Sequence, residues 1–285
     1  MNNELDWVLI SRNGWGDMFV DYANICKLNR KVNVVFYGYD KTIIQFLKHQ
    51  DNIEEVYQIE PDNAIDYLKA PIALKQKENI KALFEQNSLN INFDKFIMMH
   101  TERLETISRE IKFNLPKSDI KITKPSLLFN PYSIQSLTYE NHCPLIPEIF
   151  TWLIESTKWN IVLIGQEFYN HVYFGKLPFP LKIKNENEVS NLQNLVGKTK
   201  SMIDVFNIAK QCEGIITTSN NLSMWSVITN KPAIILLNDL MSNPKDRKAV
   251  QFYKNWIDQK PNTLLNYDCN PQQFMETFAK WEKTL

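Results

Sequence analysis

Glycine is scarce in this chain, at seven residues in 285, and no run of apolar residues is long. A membrane-spanning helix needs roughly 18–20 apolar residues in a row, and no stretch here approaches that, so no transmembrane segment is expected. The first residues carry no basic segment followed by an apolar stretch, which argues against a signal peptide and for a cytoplasmic protein. Cys26, Cys143, Cys212 and Cys269 are far apart and form no C-x-x-C pair, which fits four reduced thiols in such a compartment. His49, His100, His142 and His171 are scattered as well, with no H-E-x-x-H and no D-x-D triplet. A bound metal is therefore not expected.

Neither sign of charge is in excess. Lys plus Arg is 32 and Asp plus Glu is 32. Phosphate affinity needs clustered cations, so the balance argues against non-specific nucleic-acid binding. What the chain does have is an ordinary globular composition, with 44% hydrophobic and 22% charged residues. At roughly 100–200 residues per domain, its length suits one large or two modest domains.

Apolar runs alternate with helical patterns. Residues 5–10 (LDWVLI), 32–37 (VNVVFY), 56–59 and 93–99 (FDKFIMM) read as strands, with helices over 17–29 and 41–49 between them. The rhythm breaks between about 114 and 125, where Pro116 and Pro125 bracket a polar stretch that reads as a linker. It restarts with strands at 126–130 (SLLFN), 160–164 (NIVLI), 214–218 (GIITT) and 233–237 (AIILL), and helices over 147–157, 203–212 and 222–229. The final segment, 271–285, is amphipathic, with Phe274, Phe278 and Trp281 spaced by four and three. Strand–helix–strand alternation implies parallel sheets with helical crossovers.

Because glycine is scarce, its placement is informative: six of the seven stand at element ends. In open parallel sheets ligands bind beyond the carboxyl ends of strands, where Gly14, Gly16 and Gly165 belong. Four loops carry chemistry. In residues 12–17 (RNGWGD), Gly14 and Gly16 permit a tight loop, and Asp17 is a carboxylate suited to accept a proton from a hydroxyl. Asp17 is equally suited to cap the helix. Residues 219–223, Ser219, Asn220, Asn221, Leu222 and Ser223, follow the strand ending in Thr218. Small polar residues at a helix start offer hydroxyls and free amides to a diphosphate, or serve as a plain capping run. Lys198 and Thr199 follow Gly197 in the third loop, and Gln166 and Glu167 follow Gly165 in the fourth; each is a candidate for nucleotide or sugar contact, or an ordinary surface loop.

In this order the four loops resemble the heptosyltransferase-like glycosyltransferases, family nine of the carbohydrate-enzyme classification. The family pattern has a G-x-G-D loop after the first strand, and later a stretch of the type "nl-x-GKTs" before a helix. "D-T-G-L-S-H" then precedes a further helix, followed by Pro and an apolar strand. The counterparts here are 13–17, 194–201, 219–224 and 232–237, with Ser219, Asn220 and Asn221 in place of Asp-Thr-Gly and Met224 in place of His. The resemblance implies an α/β protein of GT-B type, two Rossmann-like parallel-sheet domains facing across a cleft. It implies an acceptor-side domain over 1–122, a nucleotide-sugar-binding domain over 123–270, and a final helix, 271–285, packing back on the first domain. It implies an inverting glycosyltransferase with no metal and no cofactor, its nucleotide-sugar donor being a co-substrate and its acceptor a hydroxyl of a glycan or similar molecule. Asp17 would be the base. Gly14, Gly16, Gly165, Gln166, Glu167, Lys198, Thr199 and residues 218–223 would hold the donor. A non-catalytic glycan- or nucleotide-binding relative, a sugar-nucleotide epimerase on the same fold, and a DNA-base glycosyltransferase stay open beside it; oligomeric state is not indicated.

Overall fold

Runs rich in β-branched and aromatic residues form parallel strands in each of two units, Met1–Pro116 and Lys117–Leu285, of the computed structural model. The structure describes residues 5–11, 14–62, 76–97, 111–132, 145–171, 175–182, 189–218, 220–237, 263–266 and 271–285.

The first unit runs β1 (Asp6–Ile10), α1 (Trp15–Lys27), β2 (Val32–Tyr37), α2 (Lys41–Leu47), β3 (Ile53–Ile59) and α3 (Lys77–Gln86), then a 3₁₀ turn (Phe93–Lys95) and β4 (Phe96–Ile97). The sheet is parallel, in the order β3-β2-β1-β4. Trp7, Leu9, Val35, Tyr37 and Ile59 pack with Ile80 and Phe84 of α3. Side chains alternate along a strand, so α1 and α2 take the other face. There Trp15, Phe19, Tyr22, Phe46 and Phe113 form a net of ring contacts. The strand expected over 93–99 is shorter. Asn92 accepts from the Asp94 amide at 3.0 Å and winds 93–95 into a turn; residues 98 and 99 lie outside the described residues.

The linker is irregular, and its side-chain ties change hands at Pro116. Before it, Phe113 is buried among the first unit's rings, and the Gln50 amide clasps the Asn114 backbone through both its oxygen and its nitrogen. After it, Ser118 donates to Asp204, Gln211 donates to the Ile120 carbonyl and Gln193 brackets 121–123. The two compact units accordingly meet in sequence at Pro116 and Lys117, within the stretch that reads as a linker.

The second unit runs β5 (Ser126–Asn130), α4 (Ile146–Ser156), β6 (Asn160–Leu163), β7 (Phe168–His171), β8 (Gly175–Pro178), β9 (Leu192–Asn194), α5 (Met202–Gln211), β10 (Gly214–Thr218), α6 (Asn221–Thr229), β11 (Ala233–Leu237), β12 (Thr263–Asn266) and α7 (Pro271–Glu282). Six strands form a parallel sheet in the order β12-β11-β10-β5-β6-β9. Between β6 and β9, where a crossover helix is usual, the described residues form an antiparallel hairpin, β7–β8. Its inward residues Tyr169 and Leu177, with Phe179 and Leu181 beyond it, join the cluster built on Leu127, Phe129 and α4.

The final helix belongs to that same cluster. Phe274, Phe278 and Trp281 are buried in it, Trp152 meets both phenylalanine rings edge-on, and Trp159 donates to Glu282 at 2.7 Å. Trp281 lies so close to Gly214 that a methyl group there would sit 2.6 Å from the indole. The apolar stripe of the helix, the source of its stability, is buried in the cluster of the second unit.

Candidate functional site

Each sheet reverses its direction of growth once, and a crevice opens at such a switch point, beyond the carboxyl ends of the strands. In the first unit the reversal falls between β1 and β4; in the second it falls between β5 and β10. The β1 crevice receives the G-W-G-D turn. Gly14 is the N-cap of α1, in extended conformation and without a side-chain cap bond, and its carbonyl accepts from Met18 at 3.0 Å. A methyl group on Gly14 would meet nothing within 4 Å. The N-cap is a position that glycine favours. Asp17 is the third residue of α1 and so is not its N-cap; its side chain lies outside the described residues, as do Arg12 and Asn13. Trp15 and Gly16 complete the first turn. The Trp15 indole donates to Asp40 at 3.1 Å, which ties the start of α1 to the loop after β2.

In the second unit the β5–β10 crevice receives Thr218 and Asn220–Ser223; Ser219 lies outside the described residues. Asn220 is the N-cap of α6. Its oxygen accepts from the Leu222 amide at 2.8 Å, and its NH₂ donates to Thr217 at 2.8 Å and Thr218 at 3.3 Å. Ser223 closes the box, accepting from the Asn220 amide at 3.2 Å and donating to the Asn220 carbonyl at 2.6 Å. The Ser223 and Met224 amides also turn to the Asn220 carbonyl, at 3.1 and 3.4 Å. A helix start leaves about four amides unpaired, and the sequence leads one to expect them free for an anion. Three of them, on Asn220, Leu222 and Ser223, are taken here. The capping chemistry of Asn220 and Ser223 satisfies these donors locally, as the capping reading of the run has it. Thr218, Leu222 and Ser223 are buried, and Asn220 and Asn221 are half-buried.

The other two loops meet at the carboxyl ends of β6 and β9. Gly197 donates its amide to the Gly165 carbonyl at 2.9 Å and has φ +70, a conformation that costs other residues energy. A methyl group there would lie 3.2 Å from Glu167. Gly165 has the Phe179 ring and the Tyr169 hydroxyl over it, at 2.5 and 3.1 Å from where a Cβ would stand. Gln166 and Glu167 are exposed. Burial raises the Tyr169 phenol to about 12, opposed by the Gln166 amide that donates to its oxygen. Lys198 is exposed and turned back, its ammonium 2.7 Å from the Asn194 carbonyl; Thr199 is half-buried.

The structure therefore gathers Gly165, Gln166, Glu167, Gly197, Lys198 and Thr199 into one group and Thr218 with Asn220–Ser223 into another. It does not bring Lys198 to the start of α6. Strand β9 is three places from β10, roughly 14 Å at the usual strand spacing. Sequence reasoning did not foresee that β5 and β6 stand between the two loops. It also missed Asp40, although an Asp immediately before a helix that begins at Lys41 is an N-cap signal. Asp40 accepts from the Thr42 amide and hydroxyl at 2.9 and 2.6 Å.

Solved structures share this architecture over nearly the whole chain. A glycosyl transferase family 9 protein from Veillonella parvula DSM 2008 superposes with a TM-score of 0.54 at 10% identity, covering 99% of this chain and 90% of that one. The fold is heptosyltransferase-like. The E. coli ADP-heptose lps heptosyltransferase II gives 0.53 at 12% identity, covering 97% and 98%. E. coli heptosyltransferase WaaC with ADP gives 0.53 at 10% identity, covering 97% and 99%. No family model and no curated protein sequence matches the chain. Among the described residues no helix is long and apolar enough to cross a membrane, and no group of three or more His, Cys, Asp or Glu stands ready to hold a metal.

Proposed function

We propose that this protein is an inverting, metal-independent glycosyltransferase of the cytoplasm. It moves a sugar from a nucleoside-diphosphate sugar to a hydroxyl acceptor. The observation that carries the reading is placement. The one loop with a carboxylate behind two glycines occupies the switch point of the first sheet, and the polar Thr218–Ser223 run occupies that of the second. The heptosyltransferase-like fold supports it. So do two structures of E. coli heptosyltransferase WaaC, one with ADP and one with ADP-2-deoxy-2-fluoro heptose. In this reading the donor lies along the carboxyl edge of the second sheet, one end at the β10 loop and the other at the Gly165–Lys198 loops. An extended nucleotide sugar touches both groups where a lone phosphate would not. Asp17 takes the acceptor proton as the bond to the sugar forms. The leaving diphosphate departs as an anion, which the dipole of α6 favours.

The test is donor binding followed by turnover. A panel of nucleotide sugars is screened by thermal shift, where ligand at about 100 times its Kd stabilises by roughly 2.7 kcal/mol. Transfer is then measured in EDTA with Asp17→Asn beside the wild type. A general base contributes about 10²–10⁴-fold, so the variant should lose at least a hundredfold in rate while its donor-induced shift stays the same. Full turnover in Asp17→Asn, or wild-type activity abolished by EDTA and restored by Mg²⁺, would sink the mechanism. One observation favours a second reading, a non-catalytic binder: the capping box already occupies the donors at the start of α6. Donor binding with no transfer to any hydroxyl and no hydrolysis would establish it.

A further inference from the structure

The first unit has a hollow at the edge of its sheet opposite the Gly14–Asp17 turn. It opens at the amino ends of β2 and β3, between the end of α1, the loops that lead into those two strands, and the stretch that carries Lys112. Its volume is about 380 Å³, within the range of small-molecule pockets, roughly 300–1,000 Å³. Such pockets are mostly apolar, yet among the described residues no aliphatic side chain lines this one. Its chemistry suits a charged, highly polar ligand.

The charges are arranged for an anion. Three cations line the hollow, Arg30, Lys31 and Lys112, against one carboxylate, Asp51. Arg30 pairs with Asp6, and Lys31 with Glu54 at 2.7 Å; neither acid lines the hollow. Both cations stay more than half exposed, and surface pairs are weak, so these orient the cations more than they neutralise them. The Lys112 ammonium is in no ion pair among the described residues. The negative end of the α1 dipole draws cations to the loop beside it, but Lys112 arrives from the far end of the unit's chain. The walls are fixed as well. The Tyr22 hydroxyl donates to Asn52 at 2.8 Å, and the Asn52 amide reaches the Cys26 Sγ at 3.5 Å. Buried Gln50 clasps the Asn114 backbone, which holds the stretch carrying Lys112 against the hollow.

We propose that this hollow binds a small phosphomonoester, its phosphoryl group held by Arg30, Lys31 and Lys112 and its polar remainder facing Asn29 and Asn52. A guanidinium matches two phosphoryl oxygens at once, and each ammonium adds a point charge. Asp51 sets the limit: it repels a second anionic group, which selects a ligand charged at one end only. The site is independent of the transferase reading. It lies at the opposite end of the strands from Asp17, in a different unit from the β10 loop, and it stands if that reading falls.

Isothermal titration calorimetry on the full chain tests this with glycerol 3-phosphate and inorganic phosphate. Chloride keeps the ionic strength constant, since exposed charges are screened by salt. The wild type should bind glycerol 3-phosphate with a Kd of about 1 mM or tighter, and inorganic phosphate more weakly. Lys112→Gln should weaken binding about fivefold or more. Asp51→Asn should tighten it, because the carboxylate removed repels the phosphoryl group. Both side chains are exposed, so melting temperatures should match the wild type. Stabilisation by ADP should be equal in all three proteins. No binding in the wild type overturns the proposal. Binding that ignores both substitutions also overturns it, placing the anion elsewhere, as does weaker binding in Asp51→Asn. Inorganic phosphate bound as tightly as the ester overturns the ester assignment and leaves a free-phosphate site. Stabilisation by ADP lost in Lys112→Gln would make the hollow a nucleotide site and overturn the proposal as well.

Discussion

Asn220 shows how one residue answers two structural demands. Its oxygen caps α6 and its NH₂ group holds the last two threonines of β10. Asn220→Ala should therefore destabilise the protein by about 1–2 kcal/mol, the upper range for a lost cap. A urea titration would read this as a lower midpoint at unchanged slope, and an unchanged midpoint would deny the capping role. Cys212 makes a second residue-scale argument. Burial raises its thiol to about 11 from 9.0, against lowering by Ser126 and by the charges of Lys231 and Lys124, while Glu213 adds to the rise. The unfolded thiol ionises first, so the stability it contributes is present below pH 9 and is lost as pH climbs towards about 11. Lys231 runs the other way: burial lowers its pKa, so the folded state sheds that proton first and gains stability up to 10.5. Unfolding free energies measured across this alkaline window should fall less steeply in Cys212→Ala than in the wild type. Parallel curves would show that the thiol plays no part.

At the scale of elements, the β7–β8 hairpin is clamped to the end of β6 through the missing side chain of Gly165. A Cβ there would stand 2.5 Å from Phe179 and 3.1 Å from the Tyr169 hydroxyl. Gly165→Ala should cost about 1–3 kcal/mol by overpacking, and Phe179→Leu should recover part of it when the two are combined. Thermal or urea melts of the two single variants and the double variant complete the cycle; strictly additive losses would mean that the hairpin does not press on this glycine. The same region marks the limit of what was legible. β2, β5, β10 and β11 match the expected bounds, because each is an apolar run buried on both faces and bounded by turn residues. The hairpin alternates cleanly, with Phe168 out, Tyr169 in and Asn170 out, but Pro178 and Pro180 make its second half look like loop. Proline is tolerated there because a two-stranded ribbon is all edge. α3 was missed because only Ile80 and Phe84 of its ten residues are buried and its mean hydropathy is low. β9 has three residues, too few for any period. At the candidate site the residue types were legible and their use was not. Asn and Ser suit capping and anion binding alike, and only the positions of Thr217 and Thr218 show Asn220 turned inward.

At the scale of the whole molecule, the question decided least by sequence was where the last helix goes. Its stripe of Phe274, Phe278 and Trp281 is compatible with any apolar surface, so periodicity establishes a buried face without naming the partner. The partner is selected by shape. Gly214 leaves room at the start of β10 for the Trp281 indole, Trp152 presents its edge to Phe274 and Phe278, and Trp159 supplies a donor for Glu282. Truncation of a buried phenylalanine costs about 3–5 kcal/mol, a large share of the 5–15 kcal/mol that holds a typical domain together. Phe278→Ala should therefore loosen the second unit without unfolding the first. Hydrogen exchange read by mass spectrometry resolves the two. Amides of β5, β6, β10 and β11 should exchange faster by the factor that the lost stability dictates, while those of β1, β2 and β3 keep their wild-type protection. The opposite pattern, protection lost in β1–β3 and kept in β5–β11, would return the helix to the first domain. Equal loss in both would mean that the two units unfold as one cooperative body, and that Phe278 supports the pair and not the sheet it touches.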